Sequence, residues 1–391
     1  MIRIAFPFIR KSIWAGGYNY LLNLFFIISL YRSKELKPVL FYGTDIDKNE
    51  LDDFRKIKNV EFVKSSLMNK SRFFISLTRS IIFGSDKKIK LLFNKHKINV
   101  IFEIVNFFGK KIDTPVIAWI PDVQHHVLPQ IFPWITWWKR EIGFRTQIRS
   151  GRSILLSSYD SKKAFKKYYP KSTNLVNLVR FAIQLKNIPS ISLIKSIKKK
   201  YSLPDRYFYM PNQFYKHKNH ITVLKSLILL REKGYNIVVV SSGKQLDPKN
   251  PYYFKEFYNE LIKNKLEKNF ILLGIIPYKH VLPMMMGSIA VLNPSLYEGR
   301  STTVEESLAL KVPLVLSDIK IHKEQANDEA KFFARRSFIS LAKVLLIIWN
   351  KKKKSVIIKN LLSSNSKRVK IFANDFFISI KKSINYHKNK S

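Results

Sequence analysis

Short apolar runs recur along the first half of the chain, at Ile2–Phe8, Val39–Tyr42, Val100–Ile104, Val116–Ile120 and Ile154–Ser157, with longer mixed segments between them. That rhythm predicts βαβ units around a parallel sheet. The longest apolar stretch, Leu21–Tyr31, is interrupted by Asn23 and is too short to span a bilayer, so it reads as the buried face of a first helix. Met1–Pro7 reads as a first strand, not as the charged start of a secretory signal.

After Phe181 the character changes. Lys186–Leu203 is rich in Ser, Ile and Lys and is punctuated by Pro189 and Pro204, which marks a boundary. The alternation then restarts. Strands are expected at Tyr207–Met210, Ile237–Val240, Phe270–Leu273, Ile289–Leu292 and Val312–Leu316, and helices around Thr222–Lys233 and Tyr278–Met286. From Arg336 the chain reads as helical and basic, with a charge run at Lys351–Lys354 and a frayed end at His387–Ser391. The division expected is 1–190, 191–365 and a last helical segment, 366–391.

Composition adds a strong bias. The 391 residues carry a formal net charge of +43, which calls for a polyanionic partner: nucleic acid, an anionic membrane face or a phosphorylated substrate. The abundance of Lys, Asn and Ile is also what an AT-rich coding sequence produces. Cysteine is absent, which excludes a disulfide framework and thiolate chemistry and fits a reducing compartment. Trp134-Ile135-Thr136-Trp137-Trp138-Lys139-Arg140 places indoles beside cations, as a lipid headgroup interface or a packed aromatic loop would.

The densest chemistry lies between Pro294 and Ala309, where a strand-like run leads into Glu298, Gly299 and Arg300 and then into Ser301, Thr302 and Thr303 at a helix start. Such a helix start offers free N–H groups to an anion, and Glu298 and Glu306 are acceptors for sugar hydroxyls. Read locally, Thr302-x-x-Glu305 and Thr303-x-x-Glu306 are also capping boxes.

The wider match weighs toward a ligand. The block resembles the E-x7-E region of the retaining glycosyltransferases of family 4, in a bacterial surface-polysaccharide and lipopolysaccharide branch. Val312–Asp318, His322-Lys323-Glu324-Gln325 and Pro211–His220 continue the resemblance in family order. It implies a GT-B fold, two Rossmann-like domains facing a cleft, with the last helix crossing back to the first domain. The activity implied is transfer of a sugar from a nucleotide diphosphate sugar to a glycan acceptor, plausibly lipid-linked.

Roles follow from the same resemblance. Lys218 would meet the diphosphate, and Gln213 stands where the family usually has an Arg, so Lys216 or helix-end amides would compensate. Glu306 would bind the ribose hydroxyls, and Glu298 would face the donor sugar and reacting centre. Backbone amides from Gly299 through Thr302, with Ser301 between, would hold sugar hydroxyls or phosphate, and Arg300 would add a cation or point to solvent. In the first half, Pro121-Asp122-Val123-Gln124-His125 resembles a segment whose histidine, here His125, touches the donor sugar. Gly16 and Gly17 match a Gly-Gly loop that faces the cleft.

Asp45-Ile46-Asp47 matches the D-x-D metal pattern of another glycosyltransferase fold but stands apart from the donor loops, so no metal and no cofactor are expected. The expected location is the cytoplasm, at the inner face of the membrane if peripheral. The alternative is an inactive GT-B scaffold that binds a polyanion or membrane. A nucleic-acid partner is disfavoured because no reading motif is present.

Overall fold

In a computed structural model of the chain, residues 1–104, 106–351 and 361–390 are described. Their strands form two sheets, one of seven strands and one of six. The first sheet runs β3(Glu61–Lys64)-β2(Leu36–Tyr42)-β1(Ile2–Pro7)-β4(Val100–Glu103)-β5(Val116–Trp119)-β6(Ser153–Leu156)-β7(Val176–Leu178). The second runs β10(Phe270–Leu272)-β9(Val239–Ser241)-β8(Phe208–Met210)-β11(Ala290–Asn293)-β12(Leu314–Ser317)-β13(Ala330–Phe333). Every pair is parallel, with Phe6 opposite Leu40 and Val291 opposite Leu314. Parallel strands are covered on both faces, which is why β6 and β12 are apolar runs with every residue buried. The short strands β3, β7 and β13 had no strong apolar signal in the sequence.

The chain divides by its contacts into two units. The first is Met1–Val123, Trp138–Gln184 and Ser366–Ser391, and the second is Gln124–Trp137 and Leu185–Asn365. The sequence put one boundary near 190; the contacts put it at Gln184 and add a short early segment, 124–137, to the second unit. That segment joins because Leu128, Ile131 and Phe132 pack on Tyr297.

In the first unit, helix Ala15–Tyr31 buries Leu21, Leu24, Phe25 and Ile28 against β1 and β4 residues such as Phe6 and Phe102. The last helix, Leu361–Lys388, supplies Val369, Phe372, Phe376 and Ile380 to the same core. Its end is not frayed at His387, whose Nε2 lies 3.0 Å from the Asp113 carbonyl. Of the run Lys351–Lys354, residues 352–354 lie outside the described residues.

Strand order sets where a ligand can bind. In each sheet the chain winds one way and then the other, and the reversal falls between β1 and β4 in the first and between β8 and β11 in the second. Loops at the carboxyl ends of such a pair part and leave a crevice.

Candidate donor site in the second unit

The loop after β8 and the loop after β11 flank the second reversal, and they carry Lys218 and Glu298. Lys218 Nζ donates to Glu298 Oε1 at 2.5 Å, with side chains 16% and 10% exposed. Ser295 Oγ lies 2.7 Å from the same carboxylate oxygen and 2.6 Å from Asn293 Oδ1. Burial alone would push the Glu298 carboxyl up; Lys218, His217 and His322 outweigh it and bring it to about 2.

Two further contacts hold these loops together. Leu296 N donates to the His217 carbonyl at 2.8 Å. Asn219 Nδ2 donates to the Pro294 carbonyl at 3.2 Å and to that of Arg335 at 3.0 Å. Asn219 has φ 59° and ψ 41°, a left-handed conformation that Asn tolerates better than most residues. Helix His220–Glu232 begins there, and Thr222 Oγ1 donates back to Asn219 Oδ1 at 2.8 Å.

Gln213 lies beside them, partly buried, and its carboxamide makes no hydrogen bond among the described residues. Lys216 is exposed; its backbone N–H is held by Asp247 at 2.9 Å. The loop after β9 approaches this backbone closely. A Cβ on Gly243, whose φ is 148°, would stand 2.5 Å from the Asn212 carbonyl oxygen, so only glycine fits.

The helix that follows Glu298, Thr302–Ala309, is capped by Ser301, whose Oγ accepts from Val304 N at 3.4 Å. The capping boxes expected at Thr302 and Thr303 do not form, because Ser301 is the residue with extended backbone. Glu305 and Glu306 therefore take other partners. Glu305, fully buried, accepts from Arg300 Nη2 at 2.6 Å and from Gln325 Nε2 at 2.8 Å. Arg300 thus neither reaches solvent nor stands free for a phosphate; it is 7% exposed and locked into the loop. The Ser301 amide, one of those expected to hold a ligand, already donates to Gln325 Oε1 at 2.9 Å.

Glu306 faces differently. It falls in the second turn of its helix, and Tyr278 Oη donates to its Oε1 at 2.6 Å. Tyr278 opens helix Tyr278–Gly287 after β10. Burial raises the Glu306 carboxyl to about 7, although the Tyr278 hydroxyl opposes the rise. No cation pairs with Glu306 among the described residues, so this group is half neutral near pH 7.

His322 is a residue the sequence matched but gave no role. It is fully buried, with Nδ1 3.0 Å from the Ser317 carbonyl, so Nδ1 carries the proton and Nε2 is an acceptor. Nε2 has no hydrogen-bond partner among the described residues. Burial lowers its pKa to about 4 against the pull of the Glu298 charge, so the ring is neutral.

The remaining expected residues lie elsewhere. His125 is fully buried in the short helix Gln124–Val127, and its carbonyl accepts from Trp137 Nε1 at 2.8 Å. Trp134, by contrast, is 75% exposed. Gly16 and Gly17 are not a loop but the first turn of helix Ala15–Tyr31. The Trp14 indole folds over them, and a Cβ on Gly17 would meet it at 2.4 Å. Asp45 accepts from Arg10 at 3.0 Å and Asp47 caps the turn at Asn49, so both D-x-D carboxylates have local partners.

Residues 194–360 match the family model described as glycosyl transferases group 1. No curated protein matches the chain. Among solved structures, it is similar to sucrose-phosphate synthase from Thermosynechococcus elongatus, at 12% identity and a TM-score of 0.69, over 100% of this chain and 99% of that one. It is similar to Anabaena Alr3699/HepE, solved with UDP and glucose, at 14% identity and a TM-score of 0.66 over 100% of both chains. It is also similar to WaaG, a glycosyltransferase involved in lipopolysaccharide biosynthesis, at 10% identity and a TM-score of 0.57, over 98% of this chain and 99% of that one. At such identities the likeness is one of fold. A family match over the segment that carries Lys218, Glu298 and Glu306, on two Rossmann-like domains of GT-B type, supports a GT-B glycosyltransferase.

Proposed function

We propose that this chain is a retaining, metal-independent glycosyltransferase that moves a hexosyl or related residue from a nucleotide diphosphate sugar to a glycan acceptor. The observation that carries the reading is the Lys218–Glu298 pair at the second reversal point, with Glu306 on the helix leading away from the same loop. The arrangement offers a cation for a diphosphate, an ionised carboxylate for a sugar and a second carboxylate for a ribose.

In the proposed reaction the bond from the anomeric carbon to the leaving phosphate oxygen breaks and a bond to the acceptor oxygen forms on the same face. The acceptor proton passes to the leaving diphosphate, which accounts for a site without a paired acid and base. Lys218 stabilises the charge that develops on the leaving group, and Gln213 lies against the same loop as a neutral donor. Glu298, held ionised, orients the sugar and lies opposite the developing positive charge. His125 keeps the role that the resemblance implies.

We assign the acceptor to a lipid-linked glycan in cell-surface polysaccharide or lipopolysaccharide assembly, at the inner face of the cytoplasmic membrane. The +43 charge and the likeness to WaaG support this finer reading. No helix among the described residues is long and apolar enough to cross a membrane. Calorimetry against UDP-, GDP-, dTDP- and CMP-sugars, with Glu306→Ala as the variant, tests the assignment. Binding of one donor by the parent and its loss in the variant is expected; unchanged donor affinity in Glu306→Ala refutes the site.

A further inference from the structure

The first unit has its own crevice at its own reversal point. A cavity of about 340 Å³ opens at the carboxyl ends of β1, β2 and β4. Its wall is apolar, with Phe8, Trp14, Ile46, Met68, Leu77 and Phe108 among the residues lining it. Polar groups are few there. Asp45 pairs with Arg10 and accepts from the Lys70 backbone N–H at 3.2 Å, while the ammonium of Lys70, an exposed lysine that also lines the cavity, has no carboxylate partner among the described residues. The wall after β4 is fixed from behind, because Arg152 donates to the Gly109 carbonyl at 2.7 Å and pairs with buried Glu103 at 3.2 Å.

One wall of this cavity is helix Phe73–Ile82, whose Ser76 and Leu77 face it. The opposite face of that helix is turned to solvent and is apolar. Phe74 and Ile81 lie seven residues apart, as do Ile75 and Ile82, so the four share one stripe. They are 73%, 65%, 50% and 67% exposed, and Phe83 just beyond is 68% exposed. Between Glu61 and Asp86 there is no acidic residue, whereas Lys64, Lys70, Arg72 and Arg79 supply four cations. Of these, Arg79 reaches Asp86 at 4.0 Å; an apolar stripe beside the remaining cations matches an anionic bilayer, where acyl chains meet the stripe and headgroups meet Lys and Arg. A folded acidic protein would satisfy the cations but leave most of a stripe this apolar against a polar surface.

We propose that helix Phe73–Ile82 lies in the headgroup region of an anionic bilayer, and that the cavity behind it receives the apolar chain of an amphiphile bearing a phosphate near Lys70. This rests on the lipid-linked acceptor reading and names where that lipid sits. The helix has one face for the membrane and the other for the chain drawn from it.

Two measurements that need no nucleotide sugar decide the matter. In vesicle co-sedimentation, the parent protein binds phosphatidylcholine vesicles containing phosphatidylglycerol and not phosphatidylcholine alone, and the double variant Phe74→Ser, Ile81→Ser loses binding. In calorimetry with dodecyl phosphate below its micelle concentration, Ser76→Trp, which fills the cavity from the helix, weakens binding about tenfold or more. Asn106→Trp, from the opposite wall, serves as an independent plug should the first disturb folding. Vesicle binding that survives the double variant, or that ignores lipid charge, overturns the membrane face. Unweakened dodecyl phosphate binding in both plugged variants overturns the cavity. Donor binding at Glu306, measured in parallel, stays at the parent value; if the parent binds no nucleotide sugar at all, the transferase reading fails while these two results still stand.

Discussion

Lys218 and Glu298, eighty residues apart, form a partly buried ion pair across the reversal point of the second sheet. Neither can leave without exposing the other to a low-dielectric setting. A donor diphosphate would compete with Glu298 for the ammonium.

Replacing Lys218 by Ala therefore has two effects. The abandoned carboxylate destabilises the second unit by about 3–5 kcal/mol. Donor affinity falls by roughly tenfold to a hundredfold, the worth of a charge-assisted contact of about 1.5–3 kcal/mol. Glu298→Gln separates the two roles, since it releases Lys218 to the phosphates. Calorimetry with the best-binding nucleotide sugar should show affinity kept or improved, while the turnover rate drops at least a hundredfold, on the order of a lost electrostatic contact in the transition state.

Glu306 should make both stability and binding depend on pH, in opposite directions. Its folded-state value of about 7 lies above the ordinary 4.5, so the fold prefers the protonated acid. That contribution to stability is fully present below the ordinary value and is lost as pH rises through the folded one. Ribose hydroxyls, however, want the carboxylate as acceptor, so donor affinity rises over the same interval. Between about pH 5 and about pH 7 the melting temperature should fall while affinity grows, and both should level off above that. In Glu306→Gln both slopes flatten. A parent protein whose donor affinity is flat across this range would remove Glu306 from the ribose.

Asn219 is expected to tune the donor site without touching the donor. Asn219→Gly keeps the left-handed backbone but deletes two carbonyl contacts, at a cost of about 1–3 kcal/mol. Because Lys218 is the preceding residue, KM for the donor should rise several-fold with kcat little changed. Asn219→Ala adds backbone strain of about 1 kcal/mol and should melt lower still.

Arg300 separates a structural cation from a binding one. It is sealed against Glu305, so Arg300→Ala strands a buried carboxylate and costs about 3–5 kcal/mol of stability. At a temperature where the variant remains folded, donor affinity should stay within about threefold of the parent. A selective loss of affinity with unchanged melting would show that Arg300 reaches the phosphates.

The sequence made the architecture readable because parallel strands bury both faces, so β4, β5, β6, β11 and β12 stand out as unbroken apolar runs. β3, β7 and β13 did not, since they lie toward sheet edges and mix Glu61, Lys64, Asn177 and Lys331 into the pattern. At the site, the spacing of Glu298 and Glu306 picked out the right loop and helix, but side-chain direction was not legible. Nothing local says that Arg300 turns inward to Glu305, that Gln325 takes the Ser301 amide, or that Tyr278 reaches Glu306 from another strand's loop. Each is a contact over twenty or more residues, or depends on which hydroxyl caps a helix. The Gly16–Gly17 pair resembles a loop in sequence for a similar reason: it leaves room for Trp14, which only packing reveals. The apolar stripe of helix Phe73–Ile82 was present at a spacing of seven but was indistinguishable from a core face until its exposure was known.

Val369, Phe372, Phe376 and Ile380 close the core of the first unit, yet they follow the whole second unit along the chain. Strands β1 to β7 consequently emerge with a hydrophobic groove still open while the whole second unit is being synthesised and can already fold. Assembly from the amino terminus onward is thus interrupted: the earlier half waits, partly unsealed, for helix Leu361–Lys388. Truncation before that helix would leave β1 to β7 without this part of their core, and aggregation of the nascent product would be the first symptom.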